Sequence, residues 1–183
     1  MRWQGLFADL EAQLEAAEQA ELAGEVADRT RREAAAVRLG DRLRAATGHH
    51  LRLHLLGGAT VTGAVMTAGG AWVLVEEPGG SEALVPGTAL AGVSGLPSAV
   101  APPEGPVSAW LGLGAVLRGI ARDRSAVTLV LVDGSGLTGT LDRVGQDFVE
   151  VAEHPGAEVR RRTEVRGVRA VPFAAVAAVR RRV

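Results

Sequence analysis

Four histidines are the first residues of this chain whose chemistry could hold a metal or move a proton: His49, His50, His54 and His154. On one strand, His50 and His54 share a face, but four strand residues span about 13 Å, too far for a single ion. His49 and His50 would point to opposite faces. The chain has no cysteine, which excludes disulfides, thiolate metal sites and a cysteine nucleophile. No Ser-His-Asp spacing reads as a triad, and neither HExxH nor a phosphate-binding loop occurs. The glycine-rich run Gly112 to Gly119, GLGAVLRG, lacks the preceding strand and the spacing of a dinucleotide site. The expectation is a protein that is not an enzyme, with no catalytic residue, no cofactor, no metal and no small-molecule substrate.

Basic residues are the other candidates. Arg160, Arg161, Arg162, Arg166 and Arg169 form one cluster, and Arg180, Arg181 and Arg182 end the chain. Guanidinium groups in such runs suit phosphates; the plainer reading is a solvated strand arm and a basic tail. All 20 basic residues are arginine. Beside abundant alanine, glycine and valine this reads as the codon bias of a high-GC genome. A net charge of −1 removes the simple electrostatic case for nucleic acid.

The elements that position these residues are written twice. Leu51 to Glu77 and Val127 to Glu153 align without a gap at an offset of 76 residues, with nine identities that include Leu53/Leu129, Gly58/Gly134, Gly63/Gly139, Gly69/Gly145 and Val73/Val149. Trp72 matches Phe148. A second block, Leu84-Val85-Pro86-x-x-Ala89-Leu90-x-x-Val93, matches Ala170-Val171-Pro172-x-x-Ala175-Val176-x-x-Val179 at an offset of 86, so the second copy holds ten extra residues. This is an internal duplication. Leu51, Leu53 and Leu55 alternate with their neighbours, the period of a half-buried strand. Gly57-Gly58 and Asp133-Gly134 supply turn chemistry. Gly63 and Gly139 fall inside the next strand, where glycine marks a bend or a close backbone approach. Trp72 to Val75 and Phe148 to Val151 give a third strand, and each Val-Pro block gives two short last ones.

The spacing of these apolar residues and glycines, followed by the V-x-x-x-A-apolar-x-x-V block, resembles the Sm-like small β-barrels and, within them, the bacterial Hfq branch. The resemblance implies a helix followed by five bent strands in each copy, with the last two strands pairing between units to build rings that bind RNA. It also places Trp72 and Phe148 where an aromatic stacks on a base, worth about 1–3 kcal/mol; the alternative is that each ring plugs its barrel. The Lys-His pair that Hfq proteins carry before the alanine is replaced by Gly87-Thr88 and by Phe173-Ala174, and a proline stands at 86 and 172.

Residues 3–46 read as helix, with Leu6, Leu10, Leu14 and Ala17 forming a stripe and Gly24 either dividing the segment or tolerated within it. Residues 1–28 hold seven acids and one arginine, and residues 29–44 hold six arginines and two acids. That split suits a helical hairpin, a coiled coil with another chain, or one face packed on the first barrel. The expected fold class is α+β: an N-terminal helix or helical hairpin, then two tandem SH3-like or Sm-like five-stranded small β-barrels. The expected domains are a helical segment at 1–47, a first barrel at 48–95, a Pro-rich linker at 96–109, and a second barrel at 110–183 with a preceding helix and a basic hairpin arm. No signal segment begins the chain, and no apolar run approaches about 18 residues, so a cytoplasmic protein with no membrane partner is expected. The functional expectation is a scaffold, an assembly or adaptor module binding protein or itself, with Hfq-like RNA binding as the alternative. Leu84-Val85, Leu90–Val93, Val168–Val171 and Val176–Val179 are the candidate pairing edges, within the chain and between copies in a ring.

Overall fold

Alanine, glutamate and arginine, all strong helix formers, carry the first residues as one helix, α1 (Arg2–Ala36). The structure is a computed structural model and describes residues 2–102, 105, 112–154 and 167–182. The chain divides into two compact units, Met1–Arg38 and Leu39–Val183. α1 runs straight through Gly24, where an added Cβ would meet nothing within 4 Å. Helix spacing brings Arg29 to Glu33 at 3.0 Å and Arg31 to Asp28 at 2.5 Å. Every side chain described on α1 is exposed, Leu14, Leu22 and Val26 among them. The helix stops at Val37, not at Gly24. No helix among the described residues is long and apolar enough to cross a membrane.

The second unit opens with α2 (Leu39–Ala45) and the strands β1 (His50–Leu55), β2 (Thr60–Gly69), β3 (Trp72–Glu77), β4 (Ser81–Pro86) and β5 (Leu90–Ser94). After α3 (Leu113–Asp123) come β6 (Ala126–Leu131), β7 (Gly136–Val144), β8 (Phe148–Glu153), β9 (Gly167–Pro172) and β10 (Val176–Arg182). A 3-10 turn joins β4 to β5 at Gly87–Ala89 and β9 to β10 at Phe173–Ala175. The duplication reaches the helices as well. Leu39-Gly40-x-x-Leu43-Arg44 in α2 matches Leu113-Gly114-x-x-Leu117-Arg118 in α3, and Leu43 and Leu117 are both buried.

The ten strands make one antiparallel sheet in the order β5-β1-β2-β3-β4-β10-β6-β7-β8-β9. Where the sequence led us to expect two separately closed barrels, the sheet is continuous and unclosed. Each repeat nevertheless brings its first and last strands together, β1 with β5 and β6 with β10. The bends are duplicated too. β2 carries a register shift between Val65 and Thr67, and β7 carries one between Leu141 and Arg143, each adding twist at the same place. A Cβ on Gly63 would collide with the Glu76 carbonyl oxygen, and one on Gly139 with that of Ala152. The expected bend is therefore explained by close backbone approach. Neither glycine has the positive φ seen at the turn residues Gly57, Gly58 and Gly134.

Two apolar clusters fill the sheet. Leu51, Leu53, Val61, Val65, Val73 and Val75 lead the first; Leu117, Leu129, Leu141, Val149 and Val151 lead the second. Leu84 of β4 is buried in the second cluster, and Leu74 of β3 packs against it. Both lie with Val116 and Ile120 of α3 around one shallow cleft, so α3 binds the two repeats together. The start of the Pro-rich segment is tied down as well. Arg42 donates to the Pro97 carbonyl at 2.7 Å, and the Ala101 N–H to that of Asp41 at 3.1 Å.

Candidate interaction surface

The seam between the repeats is where three of the candidate residues, Arg180, Arg181 and Arg182, meet repeat one. β4 pairs with β10 through Leu84 opposite Val179, Ala83 opposite Arg180, Glu82 opposite Arg181 and Ser81 opposite Arg182. Leu84 and Val179 are buried at its centre. Pro86 ends β4 before the 3-10 turn, so its missing N–H is not needed by the ladder.

Two arginines hold the end of that seam. Arg180 Nε donates to Glu77 Oε2 at 2.9 Å and Nη2 to Oε1 at 3.2 Å, a forked pair; Nη2 also donates to the Thr60 carbonyl at 3.1 Å. Arg181 divides between Glu82 of β4 and Asp123 at the end of α3, both at 2.9 Å. Forked guanidinium–carboxylate pairs add direction as well as energy. Both carboxylates on repeat one are largely shielded, with side-chain exposures of 15% for Glu77 and 18% for Glu82.

The other expected site residues are placed as follows. Arg169 on β9 donates from Nε to Glu153 Oε1 at 2.8 Å. Arg182 ends β10 opposite Ser81. Arg160, Arg161, Arg162 and Arg166, with most of the expected basic arm, lie outside the described residues. Trp72 and Phe148 each close over the glycine that precedes the hairpin turn: a Cβ on Gly69 would lie 2.7 Å from the Trp72 ring nitrogen, and one on Gly145 2.7 Å from Phe148 Cδ1. Trp72 is 9% exposed and belongs to the second core cluster. Phe148 is half-buried.

Among the histidines, His154 is buried and shares a 2.8 Å hydrogen bond with Thr140, and His54 pairs with Ser94 across β1 and β5 at 3.0 Å. No group of three or more metal-ligating side chains occurs among the described residues. In the β6–β7 turn the Ser135 hydroxyl, and then its N–H, hydrogen-bond the Asp133 carboxylate and hold its pKa below the usual value. That turn abuts its counterpart in repeat one, where a Cβ on Gly57 would lie 2.5 Å from the Val132 carbonyl oxygen.

The ends of the sheet contrast with its middle. Beyond β5 and β9 no described strand follows. In β4 the residues from Ala83 to Pro86 are buried, whereas their counterparts Arg169, Ala170 and Pro172 in β9 are exposed, as is Val168, at 58%. The counterparts of Arg180 and Arg181 at β5 are Ser94 and Gly95, and the counterpart of Glu82 at β9 is Val168. The seam thus carries ion pairs that the open ends do not repeat. Two features escaped the sequence reading. One is the pairing of Arg180 and Arg181 with carboxylates about a hundred positions away; the charges were visible, their distance in sequence hid the match. The other is an apolar pocket beside Trp72 and Gly87. No protein-family model, curated protein or solved structure matches this chain.

Proposed function

We propose that this chain is a non-catalytic assembly module built of two tandem Sm-like units, each being one five-strand half of the sheet, whose open edges receive further copies of the same chain. One observation carries the reading: the last strand of repeat two pairs with the fourth strand of repeat one. β9 and β5 are the duplicates of β4 and β10 and end the sheet. The same relation between copies would set β9 of one chain against β5 of the next, with Ala170 opposite Val93, Arg169 opposite Ser94 and Val168 opposite Gly95. Such a contact is head-to-tail, so it closes into a ring or continues as a filament according to its rotation. It would satisfy backbone groups that an unpaired edge leaves to water and would cover Val168.

Sedimentation of the whole chain at micromolar concentration tests this. A mass of several chains is expected, falling to one chain when Val168→Lys places a charge on the edge, with the melting temperature preserved. A wild-type monomer overturns the reading. Support for assembly over RNA binding comes from Arg169, Arg180 and Arg181, each held by a carboxylate of its own sheet. The purified protein should accordingly show a protein-like 260/280 nm absorbance ratio that RNase leaves unchanged; RNA released by RNase would favour the other function.

A further inference from the structure

The last strands of the two repeats do not end alike. β10 runs on through Arg181 and Arg182, with Arg181 opposite Val127 of β6 and the two residues opposite Glu82 and Ser81 of β4. Their counterparts in repeat one are Gly95 and Leu96, and neither is in a ladder, because β5 ends at Ser94 opposite Arg52. At Gly95 the backbone takes a φ of +83°, a left-handed conformation that glycine adopts freely and that breaks an extended strand. The chain turns there onto α2. Arg42 donates from Nη2 to the carbonyls of Pro97 at 2.7 Å and Leu96 at 3.4 Å, and from Nε to Pro97 at 3.3 Å. Arg44 donates to the Pro102 carbonyl, and the Ala101 N–H donates to that of Asp41 at 3.1 Å. Leu96 packs against the first core cluster, whereas Ser98, Ala99 and Val100 are exposed. Residues 95–102 are thus a strap, held to the helix mainly by polar bonds.

We propose that this strap sets the strength of the self-association proposed above, the reading on which this inference rests. While it is clasped, the β5 edge offers β9 of a second copy only Leu90–Ser94. When it opens, Gly95 and Leu96 lengthen the edge by the two positions that Arg181 and Arg182 add to the seam within the chain. The pairing of Val168 with Gly95 belongs to that open state. An inner neighbour for the lengthened strand is already present, since β1 begins at His50 and Leu51 is the counterpart of Val127. Arg42 is the clasp, because its guanidinium group makes three of the strap's bonds. A surface segment that buries so few side chains opens at a small fraction of the cost of unfolding the sheet.

Sedimentation velocity of the full chain over a dilution series gives the concentration of half-assembly for the wild type, Arg42→Ala and Gly95→Val. The first substitution removes the clasp, and the second removes the glycine that the left-handed turn requires. Each should lower that concentration about tenfold, the gain expected of two further strand positions, and adding Val168→Lys should cancel it. Should Gly95→Val not fold, Arg42→Ala decides alone. Hydrogen exchange supplies a second reading: the Ala101 amide should exchange faster in Arg42→Ala while the Leu53 and Val73 amides keep their protection. Unchanged protection at Ala101 removes Arg42 as the clasp. If the wild type assembles and Val168→Lys dissociates it, but the folded strap variants assemble no more tightly, the strap inference fails and the assembly reading stands. If the wild type and both strap variants are monomers, both fail. A monomeric wild type with strap variants that assemble keeps the strap, as a complete block, and overturns assembly of the wild type.

Discussion

Gly63 and Gly139 have no room for a side chain, because the carbonyl oxygens of Glu76 and Ala152 stand where a Cβ would be. Gly63→Ala and Gly139→Ala should each cost about 1–3 kcal/mol by overpacking, and matched thermal melts will show whether the two losses are equal. Arg180→Ala leaves Glu77 shielded without its forked partner, a loss of about 1 kcal/mol once the third of Arg180 that remains exposed is allowed for. A double-mutant cycle with Glu77→Gln measures the coupling, which should vanish if the pair contributes nothing. Asp133 has a lowered pKa through Ser135. Its contribution to stability is therefore present above the ordinary carboxylate value of about 4 and is lost as the pH falls through the lower folded value. Asp133→Asn should flatten that part of the acid limb of the melting curve; an unchanged limb would remove the group from the balance.

Among the elements, α1 stands by itself as a unit, and no described side chain on it is buried. Its helicity then rests on propensity and on pairs such as Arg29–Glu33, so one glycine in mid-helix weighs heavily. Gly24→Ala should raise its stability by about 0.5–1 kcal/mol, read as a gain in far-ultraviolet ellipticity with no change in the main melting transition. α3 behaves in the opposite way, since Val116 and Ile120 lie with Leu74 and Leu84 from the other repeat. Its glycines at 114 and 119 do not prevent a helix from Leu113 to Asp123, with Gly112 outside it at the N-cap, because burial of Leu117 offsets a propensity loss of about 1 kcal/mol per glycine.

At the scale of the molecule, the seam makes the two repeats one object. Val179 is buried against β4 and not at a free edge. Val179→Asp should therefore destabilise the whole sheet, by more than about 3 kcal/mol. It should not release intact units, and a single cooperative transition should shift. A charge at Val168, on the open edge, should change mass but not melting. The two substitutions together separate the pairing within a chain from the proposed pairing between chains.

The strands, the duplication and the positions of both bends were legible in the sequence, because a half-buried strand imposes a period of two and a duplicated bend repeats its glycine. The reason for each bend glycine was not, since it depends on a carbonyl oxygen delivered by a neighbouring strand. The four Val-Pro strands looked alike as edges. Tertiary structure decided which two pair, by bringing Arg180 to Glu77 and Arg181 to Glu82 across separations of 103 and 99 residues. No local pattern reports a match at that range. The change from phenylalanine at 173 to glycine at 87 was equally visible as letters. Its consequence, that the Phe173 ring lies against Gly114 in one repeat while the Gly70 carbonyl lies against Gly40 in the other, exists only once α2 and α3 are packed on their sheets.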